Sequence, residues 1–333
     1  MNFLLKLLIA SPLIYFVIAF SLLSLPFSRE HSDKGLDFNV LHIDSAPEIN
    51  IAEKYYTARD GSDLFYRFLL GDSKVIVVLI HGSGTEGRYL LPLAERLNAS
   101  LNISVVLPDL RGHGKSALGS MGDVDYLGQL EHDLEDLKKE LAFKFPDYKV
   151  ILGGHSSGGG LVVKYGGNEL EKYDGYMMLA PYLGYKAPTV RPNSGGWVQV
   201  RQARYAGLAM LNNVGIKLFN YLSVLYFNRP VTIDDEFQVD SYTFRMNESF
   251  SPQFFTADLR ENNNNILVLV GENDEAFYAY KFEKVFRENA PQTDLRIILG
   301  AKHLDLSNNH ETVDIMLAWL EKIYDKELKR TNR

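Results

Sequence analysis

The sequence predicts an α/β fold: a mostly parallel, eight-stranded sheet flanked by helices, with a helical cap inserted late in the chain. Eight short runs rich in Val, Ile, Leu and Tyr recur along the chain, and helical patterns with apolar residues on one side and charges on the other fill the gaps between the later ones. That alternation builds parallel sheets covered by helices. It stops between residues 182 and 264, where an aromatic-rich stretch begins.

The 333 residues, 46% apolar and 23% charged, have ordinary globular composition and suffice for a sizeable core. A net charge of −7 argues against a basic nucleic-acid-binding surface, so no nucleic-acid partner is expected. Cysteine is absent, which excludes disulfides, thiolate metal sites, a cysteine nucleophile and any lipid anchor attached through cysteine.

From Leu7 to Ser28 no residue is charged and Leu, Ile, Phe and Val dominate. A helix needs about 20 such residues to cross a bilayer, so residues 1–28 read as an uncleaved membrane anchor, with a cleaved signal as the alternative. Lys6 on one side and Arg29 and Lys34 on the other nearly balance the charge rule for orientation. The expectation is a single-pass protein with its catalytic domain outside the cytoplasm, or a secreted one if the segment is cleaved. Residues 29–50 lack periodicity and contain turn-like Asp33-Lys34-Gly35 and Ala46-Pro47, the mark of a linker.

The folded part is expected as 51–181 and 265–333 with the cap, 182–264, between them. Its strands read as Glu53 to Thr57, Leu64 to Leu70, Val75 to Ile80, Ser104 to Leu107, Lys149 to Leu152, Tyr176 to Leu179, Ile266 to Val270 and Leu295 to Leu299. Asp60-Gly61-Ser62 is a hairpin signal, so the sheet starts antiparallel. Helices read as Arg88 to Leu97, Asp123 to Phe143, Gly158 to Leu170, Ala276 to Glu288 and Thr312 to Lys326. The cap carries Trp197, Tyr205, Phe219, Tyr221, Tyr226, Phe227 and Phe237, most of which serve its own small core.

Within this frame, Gly154-His155-Ser156-Ser157-Gly158 follows a strand and opens a helix. Gly-x-Ser-x-Gly in that setting is a nucleophile elbow: a sharp turn projects the hydroxyl of Ser156 above the sheet, and the glycines admit the turn. Ser157, next door, lacks the spacing, but its backbone N–H falls where an oxyanion donor is required. A serine needs a histidine to take its proton and a carboxylate to orient that histidine, in the chain order Ser, acid, His. The only histidines after Ser156 are His303 and His310. His303 follows a strand directly and is the base; His310 lies at a helix start in a polar stretch, where a surface role is expected. Asp274, in the loop after Ile266 to Val270, is the first choice of acid, with Glu272 and Glu275 as competitors and Asp305 too near His303 in sequence. The strand Val75 to Ile80 runs into His81-Gly82-Ser83-Gly84, which offers the backbone N–H of Ser83 as the second oxyanion donor, with His81 structural.

Two patterns point elsewhere. Gly82-x-Gly84-x-x-Gly87 with Asp109 about twenty residues on fits a dinucleotide fingerprint, but that reading leaves the elbow and the ordered acid and histidine unexplained. Gly114-Lys115-Ser116 resembles the end of a phosphate loop, whose first glycine would have to stand where Asp109 is. No metal-ligand spacing is present, and no cofactor is expected.

With these residues in view, the chain resembles the monoglyceride lipase, lysophospholipase and serine aminopeptidase branch of the α/β hydrolases. The resemblance runs from about Tyr55 to Leu320 and rests on the segments His81 to Tyr89, Pro108 to Ser116 and Gly154 to Ser157-Gly158, and on Gly271-x-x-Asp274 and Gly300-x-x-His303. It implies an acyl-enzyme mechanism without cofactor, a triad of Ser156, Asp274 and His303, and an oxyanion hole from Ser83 and Ser157. Ser157 departs from the Met or Gln common in the branch, and the cap matches poorly. The function expected is hydrolysis of carboxylic esters, lipid-like ones given an aromatic cap and a tether. Amide hydrolysis or acyl transfer by the same triad, and a non-catalytic anchored binding module, are the alternatives.

Overall fold

The structure, a computed structural model, describes residues 3–29, 35–38, 51–168, 172–228 and 237–328. In chain order its elements are α1 (Phe3–Ser24), β1 (Ala52–Thr57), β2 (Asp63–Leu69), β3 (Val75–Ile80), α2 (Leu91–Leu101), β4 (Ser104–Pro108), α3 (Gln129–Lys144), β5 (Lys149–His155), α4 (Ser157–Gly167) and β6 (Gly175–Leu179). There follow β7 (Val198–Val200), α5 (Gln202–Asn213), β8 (Ser223–Phe227), β9 (Ser241–Thr243), α6 (Phe244–Phe250) and α7 (Phe255–Glu261). The chain ends with β10 (Ile266–Gly271), α8 (Ala279–Asn289), β11 (Asp294–Ile298) and α9 (His310–Leu328).

Eight strands form one sheet in the order β1-β2-β4-β3-β5-β6-β10-β11. β1 with β2 and β2 with β4 are antiparallel, and every pairing from β4 to β11 is parallel. All six side chains of β3 are buried, as a parallel strand covered on both faces requires, and each such side chain contributes about 1.5–3 kcal/mol of burial. The crossover β3-α2-β4 reverses beside β3-β5, so the carboxyl ends of β3 and β5 open a crevice at that switch point.

One expected helix starts late. Residues 123–128 are irregular because the Asp123 carboxylate accepts from Val124 N–H, from Thr243 Oγ1 at 2.6 Å and from Arg245 Nε at 2.7 Å, and Gly128 adopts φ +92° before α3 begins. The insertion between β6 and β10 is not purely helical either: besides α5 to α7 it holds the antiparallel sheet β7-β8-β9.

The expected single-pass anchor is corrected, and with it the placement outside the cytoplasm and the secreted alternative. Among the described residues no helix is long and apolar enough to cross a membrane. The apolar N-terminal helix is instead docked on the insertion. Ala19 is fully buried, and a Cβ on Gly207 of α5 would lie 2.7 Å from the Ala19 carbonyl oxygen, so α1 and α5 meet backbone to backbone. Tyr15 donates its hydroxyl to the Met210 carbonyl at 2.7 Å, Phe20 meets Phe219 edge-on at 5.7 Å, and Arg29 donates to the Phe227 carbonyl at 2.8 Å. Most of the expected linker, 30–34 and 39–50, lies outside the described residues; Phe38 within it is buried against Trp197 at 5.1 Å.

Candidate active site

β5 ends at His155 and α4 begins at Ser157, leaving Ser156 alone in the turn at φ +56°, ψ −119°. A side chain in that region is strained, and such strain persists only where surrounding contacts fix it. They do here: Ser156 N–H donates to the Leu179 carbonyl at 2.8 Å, and its own carbonyl accepts from Gly160 and Tyr182. The flanking glycines are required by contact. A Cβ on Gly154 would lie 2.5 Å from the Gly158 carbonyl carbon, and one on Gly158 would lie 2.4 Å from the His81 carbonyl oxygen.

The expected acid, base and nucleophile converge. His303 Nε2 is 2.9 Å from Ser156 Oγ, and His303 Nδ1 is 2.7 Å from Asp274 Oδ2. Asp274 is buried, and its other oxygen accepts from the N–H groups of Ala276 and Phe277, each at 2.8 Å. A carboxylate can only accept, so Nδ1 carries the proton and Nε2 is free to receive one from the serine. The competing acids have other partners. Glu275 accepts the backbone N–H of His303 at 2.9 Å, Glu272 accepts that of Gly300 at 2.9 Å, and Asp305 accepts that of Lys302 at 2.8 Å. Glu275 thus fixes the loop that carries the imidazole. His310 is exposed at the start of α9.

Ser83 and Ser157 line the same cavity as Ser156, with Tyr182, Trp197, Val198, Leu225, Phe227, Tyr242, Phe250 and Phe277 around them. The N–H of Ser83 makes no hydrogen bond among the described residues, whereas both of its neighbours are tied off. Gly82 N–H donates to Tyr89 Oη at 2.7 Å, and Gly84 N–H donates to Tyr242 Oη at 2.9 Å. Trp197 Nε1 reaches the Ser83 hydroxyl at 3.4 Å.

Three buried histidines surround this loop. His155 Nε2 lies 3.1 Å from the His303 carbonyl oxygen, so it donates there, and its Nδ1 accepts from Tyr89 Oη at 2.8 Å. His81 Nε2 accepts the N–H of Leu110 at 3.1 Å, and its Nδ1 donates to the Gly82 carbonyl at 2.8 Å. Burial pushes the pKa of all three, His81, His113 and His155, below the ordinary imidazole value; His303 next to His155 and His81 next to His113 push the same way. Neutral rings suit these one-donor, one-acceptor arrangements. Sequence reasoning missed Tyr89, His155, His113 and Tyr242 as parts of the site. For Tyr89 the signal was its place in the His81 to Tyr89 segment; Tyr242, 158 residues from Gly84, had none.

Fold and geometry together define an α/β hydrolase carrying a Ser–His–Asp constellation at the crevice edge of its sheet. The chain belongs to the family described as serine aminopeptidase, S33, which it matches over residues 71–308. It is 34% identical over 104 residues, 31% of this chain and 28% of the relative, to a probable protein phosphatase methylesterase 1 of Caenorhabditis elegans. It is 31% identical over 110 residues, 33% of this chain and 39% of the relative, to a monoacylglycerol lipase of Mycolicibacterium smegmatis. The matched part thus spans well under half the length of these curated relatives. A soluble variant of monoglyceride lipase from Saccharomyces cerevisiae has the same fold, with TM-score 0.63 at 19% identity over 84% of this chain and 99% of that one.

Proposed function

We propose that the protein hydrolyses carboxylic esters of apolar acids, with lipid-like esters such as monoacylglycerols or lysophospholipids as the substrate class, through an acyl-enzyme. The observation that carries this reading is the unbroken line Ser156 Oγ, His303, Asp274 at 2.9 and 2.7 Å. Ser156 Oγ attacks the acyl carbon while His303 Nε2 takes its proton; the carbonyl electrons move to an oxyanion that accepts from the N–H groups of Ser83 and Ser157. Collapse expels the alcohol, which receives the proton from His303. Water then repeats the sequence, releasing the acid and restoring the serine.

The cavity supports an apolar acyl group through Trp197, Val198, Leu225, Phe227, Phe250 and Phe277, which line it together with polar Ser194, Asn247 and Ser251. Two matched relatives, a methylesterase and a monoacylglycerol lipase, favour esters by name, while a third, a proline iminopeptidase 33% identical over 119 residues, favours peptides. The family's name raises an aminopeptidase reading, but such a site needs a negative charge for a peptide's ammonium group. Among the described residues lining the cavity none is acidic. The test is turnover of 2-monoacylglycerols, lysophosphatidylcholines and short p-nitrophenyl esters beside aminoacyl anilides. Ester turnover that stops in Ser156→Ala is expected; preference for the anilides would overturn the ester reading.

A further inference from the structure

We propose that Tyr242, supplied by the insertion rather than by the sheet that carries the triad, is a positioning residue that aims the Ser83 N–H at the oxyanion. The proposal rests on the hydrolase reading above. Tyr242 sits in β9, and its hydroxyl accepts the N–H of Gly84 at 2.9 Å. It lies 2.6 Å from His113 Nε2, while His113 Nδ1 lies 3.0 Å from the Arg111 carbonyl oxygen. A carbonyl oxygen only accepts, so Nδ1 donates to it and Nε2 of the neutral ring must accept. The tyrosine O–H therefore points at His113, and its oxygen lone pairs turn to Gly84. The direction of the whole chain, Gly84 N–H to Tyr242 O–H to His113 to Arg111 C=O, is fixed by its last acceptor.

The grip on Gly84 is two-sided, for Val239 N–H, three residues before Tyr242, donates to the Gly84 carbonyl at 3.2 Å. Gly84 adopts φ +73°, and a Cβ there would stand 3.1 Å from the Phe227 ring and 3.2 Å from that of Trp197, so the peptide is also walled in. Tyr242 is itself held by an edge-on contact to Phe227 at 4.8 Å and a stack on Phe250 at 5.8 Å. With Gly82 N–H occupied by Tyr89 on the other side, the peptide that presents Ser83 N–H has both neighbours anchored. Without the Tyr242 hydroxyl, Gly84 N–H would be buried without a partner, a loss the loop relieves by turning, and turning moves the Ser83 donor. Both half-reactions pass through a tetrahedral oxyanion, so kcat falls whichever step limits it.

The test is Tyr242→Phe in the full chain, with active enzyme counted by fluorophosphonate titration and Tm recorded. The expected result is a kcat lower by about tenfold, less than the hundredfold or more for a donor lost outright, with KM within about twofold. A tetrahedral-adduct inhibitor, a trifluoromethyl ketone with the substrate's acyl chain, should lose affinity by the same factor as kcat/KM, while the matching methyl ketone should bind unchanged. His113→Gln, which disturbs the relay but leaves the ring of Tyr242 in place, should shift kcat in the same direction and carries the test if Tyr242→Phe does not fold. Equal kcat in both variants and wild type, or parallel loss of affinity for both ketones, overturns the proposal. Absence of any ester turnover by the folded wild type overturns the hydrolase reading first, and this inference with it.

Discussion

The crevice end of the central sheet and the insertion that covers it are held together by different means. At the crevice, the strained turn at Ser156 is clamped by backbone hydrogen bonds from β6 and by glycine contacts at backbone distance, and each oxygen of Asp274 is satisfied. The insertion adds a chain of rings to its strand ladder and to the bonds of Thr243 and Arg245 with Asp123: Trp197 stacks on Phe227 at 5.1 Å, Phe227 meets Tyr242, and Tyr242 lies on Phe250. Its strands are three to five residues long. Directional bonds to backbone fix a geometry to tenths of an ångström, whereas ring contacts tolerate sliding. The lesson is a division of labour, with the proposed reacting atoms set by the sheet and their surroundings, including one anchor of the Ser83 loop, set by the insertion.

Substitutions that touch only the reacting atoms separate the two regions most sharply. Ser156→Ala should lower kcat roughly 10⁴- to 10⁶-fold with Tm little changed, measured by ester turnover and calorimetry. Asp274→Asn should cost roughly 10³- to 10⁴-fold, because the amide can donate to Nδ1 and so favour the wrong imidazole tautomer. A comparable collapse of Tm in either variant would mean that the triad is structural.

In the insertion, Phe227→Ala should cost about 3–5 kcal/mol through the lost packing of a buried ring. Hydrogen exchange should show that cost as lost protection in β7, β8 and β9 while β3 stays protected; equal loss in both would erase the distinction drawn here. At the elbow, Gly158→Ala should destabilise the protein by about 1–3 kcal/mol, since its new Cβ would press on the carbonyl oxygens of Ile80 and His81. Denaturant melts would read it, and an unchanged midpoint would show that the helix can shift.

The most gradual effect is on pH. His81, His113 and His155 have folded pKa values below the ordinary imidazole value, so below about pH 6.5 the unfolded chain binds protons that the folded one does not. Their stabilising contribution is whole above that pH and is lost as pH falls. Each histidine should remove up to about 1.4 kcal/mol per pH unit until its folded pKa is reached. Replacing His113 with Gln should flatten the slope of stability against pH between about pH 6.5 and 5.

Much of the sheet was readable because doubly covered strands must be apolar throughout, as in Val75 to Ile80, and because the elbow needs its glycines in sequence. What escaped reading depends on distant partners. The start of α3 is set by Asp123 meeting Thr243 and Arg245 about 120 residues away, and Tyr242 matters only because Gly84 lies beneath it. The N-terminal apolar run misled for the same reason. An apolar helix suits a bilayer or another helix equally, and only the close approach at Gly207 reveals which surface covers Ala19.

The central claim, that Ser156 is the atom that takes the acyl group, is tested most directly by mass spectrometry of the folded protein after reaction with a fluorophosphonate. The account predicts a single adduct on the peptide containing Ser156, none in Ser156→Ala, and sharply slowed labelling in His303→Ala. An adduct on Ser157 or elsewhere, or labelling that persists in Ser156→Ala, would contradict it.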